Sequence, residues 1–200
     1  MNFRQVITGI TVLCLGTAMA GCSRSPQVNF YTLGTITGVK PAEPLNAPPA
    51  VSVTHVSLPD LVDRPQMVER LTGNRVEILE MQRWAEPLKD GITRLLVDTL
   101  ANRLASDLVT AYPQTSAAEP DYKVTLDIRR LDATSDLVYL DAVWKVSRSS
   151  GGSIKTGRSN VQESRGRDGY DALVAAYNRA IVSAGSDIAG AIRADRAAGQ

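Results

Sequence analysis

His55 is the chain's one imidazole, so the search for chemistry starts there. A catalytic histidine needs a nucleophile to activate or a carboxylate to orient it. The sequence holds no Gly-x-Ser-x-Gly elbow and no second histidine at metal-ligand spacing. It also lacks the Gly-x-x-x-x-Gly-Lys-Ser/Thr loop that cradles phosphates. His55 falls in a strand-like run and reads as a strand-face or surface residue. Asp127, Asp132, Asp136 and Asp141 are spaced through a strand-rich region, where solvated sheet faces and turns account for them. Asp141 shares a strand face with Leu137 and Tyr139, which points to a half-buried position. Arg158, Arg165 and Arg167 could meet lipid headgroups or an acidic partner; scattered solubilising charge is the better explanation. The expectation is a protein without catalytic residues, metal or cofactor.

The residue with a defined chemistry is Cys22. It follows Met19-Ala20-Gly21 and a short apolar run that includes Val6, Ile7, Ile10, Val12, Leu13 and Leu15, preceded by Arg4. A helix needs roughly 20 apolar residues to span a bilayer. This run is shorter, and its small terminal residues suit cleavage. The arrangement resembles the lipobox of a bacterial lipoprotein signal peptide, in which the cysteine is acylated and becomes the first mature residue. Met19 stands where leucine is commoner. Cys14 lies inside the apolar run and would be discarded. Each buried methylene contributes about 0.8 kcal/mol, so several acyl chains such as palmitate hold a protein firmly. Ser23, rather than aspartate, leans towards the outer membrane.

Of 22 basic residues only Arg4 precedes Cys22, so the mature chain carries 21 basic and 21 acidic residues. Near neutrality gives no electrostatic footprint for nucleic acid. With Cys14 removed, no disulfide or thiolate metal site can form. The mature length fits one domain with a sizeable core. The expected organisation is a signal peptide over 1–21, a membrane-proximal linker over 22–28, one domain over 29–195 and a polar tail over 196–200.

Periodicity supplies the elements. A short strand is expected at 29–33, then a Pro- and Gly-rich loop to residue 50. Val51 and Val53 alternate, and the apolar phase returns at Val56 and Leu58; this slip of one residue predicts a bulge. Strands over 65–70 and 75–82 flank a Thr72-Gly73-Asn74 turn. Ile92, Leu95, Leu96, Leu100, Leu104 and Leu108 form one helical stripe, predicting a helix over 88–109 stopped by Tyr112-Pro113. The alternating runs over 122–128 and 137–147 predict two strands. A Ser149-Ser150-Gly151-Gly152 turn and a returning strand over 153–164 complete an antiparallel meander. Asp168 is the expected N-cap of a last helix whose stripe runs from Tyr170 to Ile192, before a polar tail from residue 194. The order predicts an α+β domain: a mainly antiparallel mixed sheet with two long helices packed on one face.

Two stretches ask for more than packing. Leu58-Pro59-Asp60-Leu61-Val62-Asp63-Arg64-Pro65-Gln66 sets charges between prolines. Gln82-Arg83-Trp84-Ala85-Glu86-Pro87-Leu88 puts a large aromatic where strand meets helix. Trp84 beside Arg83 suits a partner anchor; it equally suits a cap on the core.

Together with the lipobox, Phe30-Tyr31-Thr32-Leu33 and the Tyr170-Asp171-Ala172-Leu173-Val174 helix start, these stretches resemble the auxiliary lipoproteins of MCE-type ABC transporters, the PqiC/YmbA-like family. The resemblance covers nearly the whole mature chain. It implies a role in envelope lipid transport: a lipoprotein on the inner leaflet of the outer membrane, facing the periplasm, docks a channel of MCE-domain proteins. An inner-membrane permease and ATPase drive that channel, and some relatives form homo-oligomeric rings. Arg64, Arg83 and Trp84 are the candidate partner-binding residues and Cys22 the lipidation site. The competing readings are a lipid-binding shuttle with ligand between helices and sheet, and a tethered periplasmic hydrolase.

Overall fold

The computed structural model describes residues 26–34, 47–113, 119–152, 154–166 and 169–198. The lipobox, Asp168 and Arg167 lie outside them. The elements are β1 (Asn29–Tyr31), β2 (Val51–Ser57), β3 (Gln66–Arg70), β4 (Val76–Trp84), α1 (Leu88–Leu104), β5 (Val109–Ala111), β6 (Tyr122–Ala133), β7 (Leu137–Arg148), β8 (Ile154–Ser164) and α2 (Tyr170–Ala198). They form the expected α+β arrangement, with both helices against one face of a curled mixed sheet.

β6 is the trunk of that sheet. β7 runs antiparallel along one edge and β8 follows antiparallel on β7. On the other edge, β2 pairs in parallel with the first half of β6, and β5 pairs in parallel with β2. The far end of β6 meets β3, which pairs antiparallel with β4, and β1 lies parallel on β4 at the margin. The β1–β4–β3 unit is therefore a wing on the β6 trunk.

The phase slip in β2 is a bulge. Register shifts between Val53 and His55, and the extra residue Thr54 donates its hydroxyl to the Val124 carbonyl at 3.1 Å. A second irregularity, in β6 between Ile128 and Arg130, moves the inward face from Ile128 to Leu131 and Ala133. The apolar spacing of 122–128 stops short of that shift, so the sequence showed only half of β6.

α1 is shorter than its stripe suggests. It ends at Leu104, Ala105 takes a left-handed conformation (φ 48°), and residues 109–111 form β5 instead. Ser106 fixes the exit: its hydroxyl donates to the Pro49 carbonyl at 2.7 Å and accepts from the Leu108 N–H at 3.2 Å. Val109 then pairs with Val51. Leu108, on the helical repeat in sequence, is left exposed. Tyr112-Pro113 thus follows a strand and stops no helix. Tertiary pairing overrides local periodicity here.

The polar tail expected from residue 194 is also corrected: α2 continues to Ala198. Asp195 is buried and accepts from the Tyr122 hydroxyl at 3.0 Å and from Arg148 at 2.6 Å. Helix–sheet anchoring thus extends to the last turns, where composition alone reads as tail.

The apolar stripes of both helices lie in one continuous core with the inward faces of β2, β6 and β7. The helices themselves approach closely, because a Cβ at Gly185 would stand 2.6 Å from Thr99 Cγ2. On the sheet, Trp144 lies over Gly157, where a Cβ would meet the ring at 2.1 Å. The indole N–H donates to Ser159 at 3.2 Å, and Ser159 donates to Asp187 on α2 at 2.6 Å.

The wing is held to the trunk by charge as much as by backbone. β3 and β6 share one register pair, Glu69 with Ala133. Beside it, Arg70 grips Asp132 through Nε at 2.9 Å and Nη2 at 3.1 Å, and Arg130 adds a third bond at 2.7 Å. The sequence spacing suggests a solvated carboxylate at Asp132, but its side chain is only 11 % exposed. Burial works against its ionisation, but the hydrogen bonds and charges of Arg70 and Arg130 outweigh burial and hold the carboxyl below the usual range. Arg165 pairs with Glu69 beside the same joint.

The depressed Asp132 carboxyl contributes stability above the ordinary carboxylate pKa of about 3.9, and that contribution is lost as pH falls through the lower folded-state value. Asp132→Asn should lower the urea midpoint at pH 7 and flatten its acid dependence, with the two proteins converging at the acid end. Gly157→Ala should cost about 1–3 kcal/mol by overpacking against Trp144, read as a lower denaturation midpoint.

Candidate functional site

The two unexplained stretches meet at one cleft. Residues 59–65 form a tight loop in which the Val62 and Asp63 N–H groups both donate to the Pro59 carbonyl, at 3.0 and 3.2 Å. Val62 plugs into the core, leaving Asp63 exposed and Arg64 turned to the side. The β3–β4 pairing then brings Gln66 opposite Arg83, and the Trp84 N–H donates to the Pro65 carbonyl at 2.7 Å. The Ala85 N–H donates to the Tyr31 carbonyl at 2.8 Å, fixing the turn into α1. Pro87 occupies the N-cap position, where its missing N–H costs nothing.

The result is a cleft of about 320 Å³. Asp63, Arg64 and Pro65 form one wall, and Trp84, Ala85, Glu86, Pro87 and Leu88 the other. Pro65, Trp84, Pro87 and Leu88 make it largely apolar. Glu86 is engaged by Arg94, which also donates to the Leu33 carbonyl at 3.2 Å. Arg64 differs: among the described residues its guanidinium has no ion pair, and its buried Nε has no hydrogen-bond partner. A cation beside apolar walls can take a carboxylate or phosphate carried on an apolar body.

The structure brings Arg64 and Trp84 to this cleft and separates Arg83 from them. Trp84 is 5 % exposed and meets Tyr177 edge-on at 5.5 Å, so its indole caps the core. Burial pushes the Tyr177 phenol up. Arg83, next along the strand, points to the opposite face and bonds Glu80 through the main-chain carbonyl at 2.9 Å. Pro65 and residues 85–88 belong to the two stretches that stand out in sequence, although only Arg64, Arg83 and Trp84 within them are candidate partner-binding residues there. Counting outward from the Thr72-Gly73-Asn74 turn would pair Gln66 near residue 80; the β3–β4 irregularity moves the partner to Arg83.

The remaining candidates serve the fold. His55 is exposed beside the β2 bulge. Asp127 accepts from Ser57 at 2.5 Å on the solvent side. Asp141 is gripped by Arg158 at 2.6 and 2.7 Å, and this hydrogen bonding holds its carboxyl below the usual range. Arg165 donates to Glu69 and to the Gly169 carbonyl. The described residues contain no group of three metal-ligating side chains and no helix long and apolar enough to cross a membrane.

The family described as ABC-type transport auxiliary lipoprotein component matches residues 31–189, which include both cleft walls. The chain belongs to this family. Among solved structures, an uncharacterized protein aligns with TM-score 0.67 and 16% identity, over 84% of this chain and 99% of its own. Protein XCC0632 from Xanthomonas campestris, of the DUF330 family, aligns with TM-score 0.66 and 18% identity, over 86% and 100%. At these identities the two likenesses establish the fold. A search of curated proteins finds no match. The lipoprotein is thus an auxiliary component of ABC-type transport.

Core and cleft roles separate by mutation. Trp84→Ala should cost the lipoprotein about 3–5 kcal/mol of stability, whereas Arg64→Ala should change it by less than about 0.5 kcal/mol. Chemical denaturation of the two variants checks both.

Proposed function

We propose that the lipoprotein is a non-enzymatic docking component, held to the inner leaflet of the outer membrane by acylated Cys22 and facing the periplasm. Its partner is an MCE-domain channel protein and, through it, an inner-membrane permease and ATPase. The observation that carries this reading is Arg64, a guanidinium without an ion pair beside an apolar cleft built from both motif segments. An arginine with apolar neighbours that a partner can desolvate is a typical interface anchor. Trp84 contributes by stiffening the cleft wall, and Arg83 flanks it on the other face of the sheet. A homo-oligomeric ring would need a heterologous contact; the outer edge of β8, which pairs with β7 alone, offers one.

The shuttle reading places lipid between helices and sheet. The stripes of α1 and α2 are instead packed into the core with the sheet. The hydrolase reading needs a partner for His55, which stands exposed on the solvent side.

Co-purification in mild detergent with the MCE-domain protein tests the docking role. The wild type should retain the partner, and Arg64→Glu should weaken the association about 30-fold, the loss expected of a hot-spot residue. Loss of binding by neither protein would place the contact elsewhere; absence of binding by the wild type would remove the partner.

A further inference from the structure

We propose that the wing of β1, β4 and the β3–β4 turn is a membrane-contacting face, with Phe30 seated at the lipid–water interface. This rests on acylation of Cys22. Phe30 lies eight residues beyond Cys22, a span of at most about 29 Å when fully extended. A domain of this size is about 40 Å across. The tether is therefore too short to run from the membrane around the domain to a β1 on its far side. β1 is a marginal strand of the sheet, so the side bearing it must turn to the bilayer.

That side carries the apolar groups a bilayer would accept. Of the seven large hydrophobic residues exposed among the described residues, Phe30, Leu71, Ile78 and Met81 belong to the wing; the other three flank β5 or begin β8. Phe30 is 65 % exposed. It leaves the sheet on the side of its register partner Arg83. Arg83 in turn bonds Glu80, two residues from Ile78. Scattered exposed hydrophobics are ordinary on a soluble surface; their concentration beside a short tether is not.

The wing carries no net charge that would select a lipid headgroup. Arg75 and Arg83 balance Glu77 and Glu80 on β4 and its turn, and Arg70 and Glu69 are engaged by Asp132 and Arg165. The contact is apolar, so it needs no anionic lipid. An acyl anchor supplies the affinity, and Phe30 sets the orientation at a depth of about 5–10 Å.

The test uses the full-length mature lipoprotein reconstituted on phosphatidylcholine vesicles with and without brominated acyl chains. The native tryptophans Trp84 and Trp144 are buried, at 5 % and 8 % exposure, and give an unquenched baseline. Phe30→Trp and, as a second probe, Ile78→Trp add reporters on the wing; Ile154→Trp adds one at the start of β8. Vesicle flotation is measured in parallel. The expected result is flotation of all three, with the added emission of the wing reporters largely lost to bromine and that of the β8 reporter retained. Flotation with unquenched wing reporters, or with all three equally quenched, overturns the oriented contact while leaving the anchor standing. Failure to float overturns the anchor and the contact with it.

Discussion

Arg70 and Asp132 join two halves of a sheet that backbone pairing alone barely connects. β3 meets β6 through one register pair. A bidentate arginine–carboxylate contact fixes both distance and angle, and Arg130 completes the carboxylate's shell from the trunk side. The joint sits where β6 has just shifted its inward face by a residue. Without that shift Leu131 and Ala133 would not face the core, and β3 would meet a different side of the strand. The cleft depends on the same joint, because its walls are the entry to β3 and the exit from β4.

Charge in this domain is largely organised into such pairs. Arg158 with Asp141, Arg179 with Glu163 and Arg148 with Asp195 tie helices to strands or strands to each other, and Arg94 with Glu86 ties α1 to the turn that precedes it. Several bind an arginine to a half-buried carboxylate, which is costly to leave unpaired. A near-neutral composition thus conceals a specific wiring. Against that background the free guanidinium of Arg64 is informative: in a chain that pairs so many of its arginines, an unpaired one beside proline and leucine suits a partner that is not part of the fold.

The sequence was legible where one physical signal dominated. The phase slip at Val53 and Val56 revealed the β2 bulge, since a two-residue period cannot hide a missing step. The meander over β6, β7 and β8 was legible for the same reason. Legibility failed where long-range pairing overruled a local pattern. Leu108 continues the α1 stripe, yet Ser106 and the pairing of Val109 with Val51 end the helix early. Asp195 looked like tail because its partners, Tyr122 and Arg148, lie far away in sequence. The cleft was half legible. Both motif stretches stood out by composition, but only the hairpin irregularity that sets Gln66 against Arg83 makes them neighbours. Trp84 could not be resolved as core or anchor, because its burial depends on Tyr177 in the last helix.

β1 gives the domain a mechanical character. It is three residues long, parallel to β4, and the first strand that any pull on the N-terminal segment reaches. A parallel pairing of that length is the weakest ladder between the segment and the body of the sheet, whereas β6 and β7 share a long antiparallel ladder pinned at one end by α2 through Asp195. Tension would peel β1 from β4 while the trunk stayed folded. The released residues would lengthen the leash, relax the load and re-zip when it fell. Under load the domain would thus yield first at its margin and keep its core.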